Sequence, residues 1–529
     1  MKKIAAFLFA AATLATLAQN PSPQAQTTDI LQYIDQTWKV LRRSNRTLAT
    51  AAVDPKFQPE PDGRWPVYIP RSEDLQKVEQ ELRAEVPEAG MKTIALRQLP
   101  ENINQITEQG LLYLPKPYVV PGGRFNEMYG WDSYFIQVGL LRDRDLDHAK
   151  DMADNFLYQV KNYGGKVLNA NRTYYLNRSQ PPFLTQMILG VYEKTHDKQY
   201  LAQALPEIET YYKLWTTEPH LTTETGLARY WDFGEGPAPE VVSAERNAQG
   251  LTHYDLVKAY FKTHQIPDYD VTQYYDRATD TLTPLFYKGD RSMRESGFDP
   301  SNRFGPFNID IIHYNPVCLN SLLYAMEMET AQILDILDRP DEAKTWRKRA
   351  HDRAERINHL MWNSTDGLYY DYDFATKQQR KYPFLTTFYP LWTGIASRKQ
   401  AAAVEQNLPI FEREGGLQTS TNVSGNQWDA PFGWAPLHMI AIDGLRRYGF
   451  KADADRIARK WLSLIHRDFL RRGYIVEKYD VVNASSNVES QIHFGYSANQ
   501  AGFGWTNAVF THLFDELSPA DQKKVLAAQ

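Results

Sequence analysis

From about residue 146 to residue 517 the chain keeps returning to one pattern, apolar side chains at steps of three and four, the spacing that gathers them on one face of a helix. Residues 342–362, "EAKTWRKRAHDRAERINHLMW", place Trp346, Ala350, Ala354, Ile357 and Met361 on such a face. Similar runs at 148–162, 182–195, 199–217, 249–264, 270–286, 316–337, 398–411, 436–448, 452–470 and 506–517 bring the candidate helices to eleven, and Tyr134 to Leu141 is a candidate twelfth. Loops loaded with Gly, Pro, Trp, Asp and Asn separate them, and no alternating strand series competes. Sequential helix pairs joined by long aromatic loops predict an all-α fold, a closed ring of helical hairpins with a pocket at one end. The absence of a fixed-period repeat disfavours a solenoid.

The first residues read as a targeting segment: Lys2 and Lys3 form a basic start, and Ile4 to Leu17 are apolar or small. The expectation is a secretory signal and polar N-terminus over 1–25, no retained membrane anchor, and delivery to a bacterial periplasm. No Gly, Ser or Pro linker divides the remainder, so residues 26–529 are expected to form a single domain. A net charge of −5 with both signs mixed gives no footprint for nucleic acid. Cys318, the only cysteine, lies in an apolar helical run, which predicts packing rather than reactivity. There is no HExxH pair, GxSxG elbow or Walker loop, so no metal or cofactor is expected, and the chain is expected to act as a monomer on a small molecule.

The loop "PGGRFNEMYGWDSYF", residues 121–135, suggests which small molecule. Arg124 offers a rigid fork of donors, Asp132 accepts or donates beside it, and Trp131 offers a flat apolar face. Sugars present the matching pattern of rim hydroxyls and C–H faces. Taken alone, the loop could equally anchor its aromatics in the core with Arg124 paired to Glu127 or Asp132. The same mixture recurs at 169–183, 229–240 and 427–438, which makes coincidence harder to sustain.

Residues 121–134 and 427–436 resemble the two signature motifs, PGGRFxExYxWDxY and QWDxPxGWAP, of the inverting trehalases of glycoside hydrolase family 37. "NRSQPPF", "ESGFDPSNRF", "VEKYD" and "GFGWTN" follow the same family's order, so the resemblance runs from about residue 40 to 517. It implies an (α/α)6 barrel that hydrolyses α,α-trehalose to two glucoses with inversion and without a metal. Carried over by motif, Asp299 is the general acid and Glu477 the general base. Arg124, Trp131, Asp132, Asn169, Arg178, Ser179, Gln180, Glu240 and the backbone of Gly297 become sugar contacts, with Trp428 and Asp429 as wall and hydroxyl partners. A general acid must hold its proton near neutral pH, so the Asp299 pKa has to be raised, with Phe298 as an apolar wall and Glu295 as a neighbouring charge.

Three departures bear on substrate identity. Ala238 stands where the family's Arg-Pro-Glu motif has arginine, Tyr496 falls at the usual glutamate of a replaced glycine-rich lid, and Phe298 replaces a tryptophan. Arg246 or Arg229 could restore the fork and Glu489 the acid. Two alternatives therefore accompany the trehalase reading: an inverting glycosidase for another α-glucoside or a modified trehalose, and a sugar-binding protein without turnover.

Overall fold

A computed structural model describes residues 29–242, 246, 250–494 and 498–528. Six helices form its inner wall: α1 (Gly130–Arg142), α2 (Leu184–Thr195), α3 (Val317–Ile336), α4 (Tyr389–Thr393), α5 (Ala435–Arg447) and α6 (Gly504–Glu516). Each packs on the next, and α6 packs back on α1, which closes the ring. Outside it, Leu146–Asn162 packs on α1 and α2, Lys198–Trp215 on α2 and α3, Pro340–Leu360 on α3, and Lys451–Arg472 on α5 and α6. This is the expected (α/α)6 barrel.

The layers explain why some helices are more legible than others. Pro340–Leu360 buries one stripe, Ala343, Trp346, Ala350 and Ile357, and shows water the rest, so its period is plain. α1 is squeezed between layers and buries nearly every residue from Gly130 to Leu140, so its period is blurred. Starts and stops follow local chemistry: Asp197 caps the backbone N–H groups of Gln199 and Tyr200, and the left-handed Gly473 ends the helix at Arg472.

The structure departs from the periodicity in three places. Residues 270–286 are not one helix: Tyr275–Asp276 and Thr281–Leu282 form a small hairpin, and a helix begins only at Pro284. Asp280 turns that hairpin at φ +53° and accepts from Tyr275 Oη at 2.8 Å, a local polar bond that outweighs the apolar spacing. The 398–411 run is broken into Arg398–Gln406 and Leu408–Phe411. Before the barrel lies a three-stranded parallel sheet, in which β1 (Trp65–Ile69) is flanked by β2 (Ile94–Gln98) and β3 (Leu111–Leu112), with its own apolar cluster around Leu48, Val67, Leu82 and Ile94.

Inner helices start where motif loops end, so their N-termini gather the loops at one end of the ring. A bridge between Tyr129 and Ala170 ties the loop before α1 to the loop before α2. Antiparallel pairing of β4 (Phe432–Trp434) with β5 (Lys478–Asp480) sets Trp434 opposite Lys478 and so fixes the segment that carries Glu477 beside the loop before α5. Among the described residues, no helix is long and apolar enough to cross a membrane.

Candidate active site

Where these loops meet they enclose a cavity of about 290 Å3. Its walls are aromatic: Trp428 stacks on Trp434 with ring centroids 3.9 Å apart, and Trp131 meets Trp428 at 5.7 Å and Trp505 at 5.8 Å. Phe298 packs edge-on against Trp131 and Trp428 and so backs the aromatic wall, instead of lining the cavity itself as expected. Gly297 holds φ +77°, and a Cβ there would lie 2.8 Å from the Trp131 ring, so both backbone and wall demand glycine.

Asp299 and Glu477 both line this cavity. The Asp299 side chain is 36% exposed and lines a pocket walled by rings and buried polar groups. Desolvation raises its pKa to about 7, against the lowering influence of Arg294 and Arg178. The nearby carboxylate that adds to the rise is Glu240, not Glu295. Glu295 is fully buried and bound by the backbone N–H groups of Ser179 at 3.0 Å and Trp231 at 2.6 Å, and by His220. Those partners make Glu295 a strut that joins three loops.

Glu477 receives Lys478 Nζ at 3.4 Å, while Arg472 is engaged by Asp468 and Asn487. Lys478 Nζ also donates to Gln427 Oε1 at 3.1 Å, and the Gln427 amide donates to the Asp299 carbonyl. One glutamine thus spans the two acid-bearing segments. Asp132, which lines the same cavity, is pushed well above the usual carboxylate range by burial, and further by the Glu477 and Asp299 charges.

The other motif residues divide cleanly. Arg124, Trp131, Asp132, Asn169, Arg178, Gln180, Glu240, Gly297 and Trp428 line the cavity. Ser179 and Asp429 do not. Ser179 donates to the Val167 carbonyl at 2.6 Å. The Asp429 carboxylate is filled by Ser424 Oγ at 2.5 Å and by Ser420 Oγ, Tyr382 Oη and the Asn302 N–H, each at 2.8 Å. Both shape the loops from behind. Arg178 is ion-paired to Glu240, and its Nη1 faces Asp232 Oδ2 at 3.7 Å, yet its Nε and Glu240 Oε2 are buried without a hydrogen-bond partner in the protein. Buried polar groups are rarely left so, and hydroxyls in the cavity would satisfy them.

The replacements weighed for Ala238 and the lid are not where the sequence suggested. Arg229 donates to the Pro219 and Ile312 carbonyls, Arg246 to the Gly250 carbonyl, and Glu489 is exposed; none lines the cavity. Tyr496 lies outside the described residues. The lining instead adds Arg294, whose Nη1 is 3.8 Å from Asp299 Oδ2, together with Lys56, His253 and Gln427. Arg294 sits five residues before Asp299 and Gln427 opens the QWD motif, so proximity to known motifs was the available signal for both. Lys56 and His253 carried none.

Comparisons with known proteins bear on the family and the fold. The trehalase family model matches residues 9–518. A cytosolic neutral trehalase of Neurospora crassa is 36% identical over 90% of this chain and 71% of its own length, and one of Emericella nidulans is 34% identical over 93% and 72%. The solved neutral trehalase Nth1 from Saccharomyces cerevisiae superposes with a TM-score of 0.79 at 31% identity, covering 94% of this chain and 96% of that one. The periplasmic location expected from the N-terminal residues is corrected by these relatives, which are named cytosolic. That expectation rested on a short stretch of composition, and residues 1–25 lie outside the described residues. With a matching family model over nearly its whole length and relatives above 30% identity at both sequence and structure level, the chain belongs to the trehalase family.

Proposed function

We infer that this protein hydrolyses α,α-trehalose to two glucose molecules with inversion, Asp299 acting as general acid and Glu477 as general base. Protonated Asp299 gives its proton to the glycosidic oxygen as the C–O bond to the anomeric carbon breaks. Glu477 takes a proton from a water that attacks that carbon from the opposite face, so one glucose leaves as the β anomer and the other as the α anomer. Lys478 Nζ, 3.4 Å from Glu477, and the aromatic walls hold the base in place in an enclosed site.

The observation that carries this reading is the pair of carboxyl groups in one aromatic cavity, with the Asp299 pKa raised to about 7 so that it still holds a proton near neutrality. Arg178, Glu240, Arg124 and Asn169 supply forked donors and acceptors in the cavity, and Asp132 adds a further carboxyl. Early NMR spectra of the purified protein with α,α-trehalose should show α- and β-glucose in equal amounts. Asp299→Asn and Glu477→Gln should each lower turnover by roughly 10²-fold or more. Turnover of another α-glucoside but not trehalose would replace the substrate, and sugar binding without turnover would replace the activity.

A further inference from the structure

Ala238 leaves a site of this family without the arginine its Arg-Pro-Glu motif leads one to expect, and the surrounding residues show what stands in its place. Ala238 is fully buried in an apolar cluster with Val241, Tyr254, Val257 and Phe261. Its backbone N–H donates to Tyr254 Oη at 3.0 Å, and Tyr254 Oη donates to Asp290 Oδ2 at 2.9 Å. Asp290, 1% exposed, then holds Arg294 by both nitrogens of one edge, Nη2 to Oδ1 at 3.0 Å and Nε to Oδ2 at 3.3 Å. The remaining nitrogen, Nη1, lies 3.8 Å from Asp299 Oδ2.

We propose that Tyr254 and Asp290 are positioning residues that clamp one edge of Arg294 so that its free edge faces Asp299 and the substrate, a built support for the cation that Ala238 cannot supply. An arginine held by a bidentate carboxylate loses far less freedom on meeting its ligand than one on a free stem. The groups whose charge reaches Asp299 are Arg294, Arg178 and Glu240, with Asp132 and Lys478 across the cavity. Arg294 comes first among those that hold the Asp299 proton affinity down.

This rests on the hydrolytic reading above, and its test separates the two. Asp290→Asn keeps the shape of the clamp and removes its charge, so Arg294 swings free. kcat/KM on α,α-trehalose should fall at least tenfold, and the basic limb of its pH profile should move up by about one pH unit, because a cation that favours ionised Asp299 has gone. Were Arg294 to stay in place, loss of its neutralising partner would move the limb down. In an Arg294→Met background Asp290→Asn should add nothing, the signature of two residues acting through one contact. Additive losses, or a limb that stays or moves down, would overturn the proposal.

Tyr254→Phe carries the same test with a smaller shift in the same direction should Asp290→Asn fail to fold. The Asp299 carboxyl can also be titrated without sugar, from the infrared carboxyl band that Asp299→Asn removes, and should show the same upward movement. Wild-type protein inactive on trehalose would sink the hydrolytic reading while the sugar-free titration still judged the clamp.

Discussion

Asp299 is held between opposing influences, and its balance sets the working pH. Burial favours the neutral carboxyl, Arg294 and Arg178 favour the anion, and the outcome is a pKa near 7. A general acid must be protonated to act, so kcat/KM should fall as pH rises through about 7. A profile flat to pH 9 would mean that another group supplies the proton. At Arg178 the fork matters more than the charge. Arg178→Lys keeps a cation against Glu240 but loses the fork, including the Nε donor that no protein group satisfies. A charge-assisted bond of about 1.5–3 kcal/mol corresponds to a loss of roughly ten- to hundredfold in kcat/KM, measurable with little change in melting temperature. Single residues were legible where a long motif fixed them. Ser179 and Asp429 share those motifs but face away, because a motif conveys neighbourhood and not direction. Lys56 and His253 reach the cavity from segments whose local sequence has no reason to announce it.

Elements were legible in proportion to the asymmetry of their surroundings. An outer helix with one dry face writes its period into the sequence, while α4, only Tyr389–Thr393, is too short to show one. The 270–286 run had apolar residues at helical intervals but also Asp276 and Asp280, whose side chains organise a turn. The parallel sheet was hidden because its strands are short, β1 carries Pro66, and β2 ends in Arg97 and Gln98. The loop between the Pro284–Glu295 helix and Asp299 makes its own prediction. Gly297→Ala meets both a left-handed φ and the Trp131 ring, so it should cost about 1–3 kcal/mol in unfolding free energy. Because the strain is relieved by moving Asp299 or Trp131, kcat should fall more than the loss of folded protein explains. A normal kcat in a normally stable variant would show that the loop adapts freely.

The whole molecule adds a connection that no motif contained, between the sheet-bearing N-terminal segment and the mouth of the ring. Arg172, completely buried, donates through Nη1 to the Ala52 carbonyl at 2.9 Å and through Nη2 to those of Ala51 and Val53 at 2.8 and 3.0 Å, while its Nε meets Glu127 at 2.7 Å. Tyr174 continues the joint: its Oη donates to Asp54 at 2.9 Å and its ring stacks on Phe57. The segment so pinned, 51–57, delivers Lys56 to the cavity wall. Arg172→Met should therefore act twice. Leaving Glu127 buried without its cation should cost about 3–5 kcal/mol, seen as a lower urea midpoint. The same change frees the strand of chain that carries Lys56, so KM for trehalose should rise in the protein that remains folded. Tyr174→Phe removes one hydrogen bond, with an expected cost of about 0.5–1.5 kcal/mol and a smaller rise in KM. If stability and KM move together across the two variants, the N-terminal segment is part of the substrate pocket and not merely packed beside it; a fall in stability with KM unchanged would confine it to support.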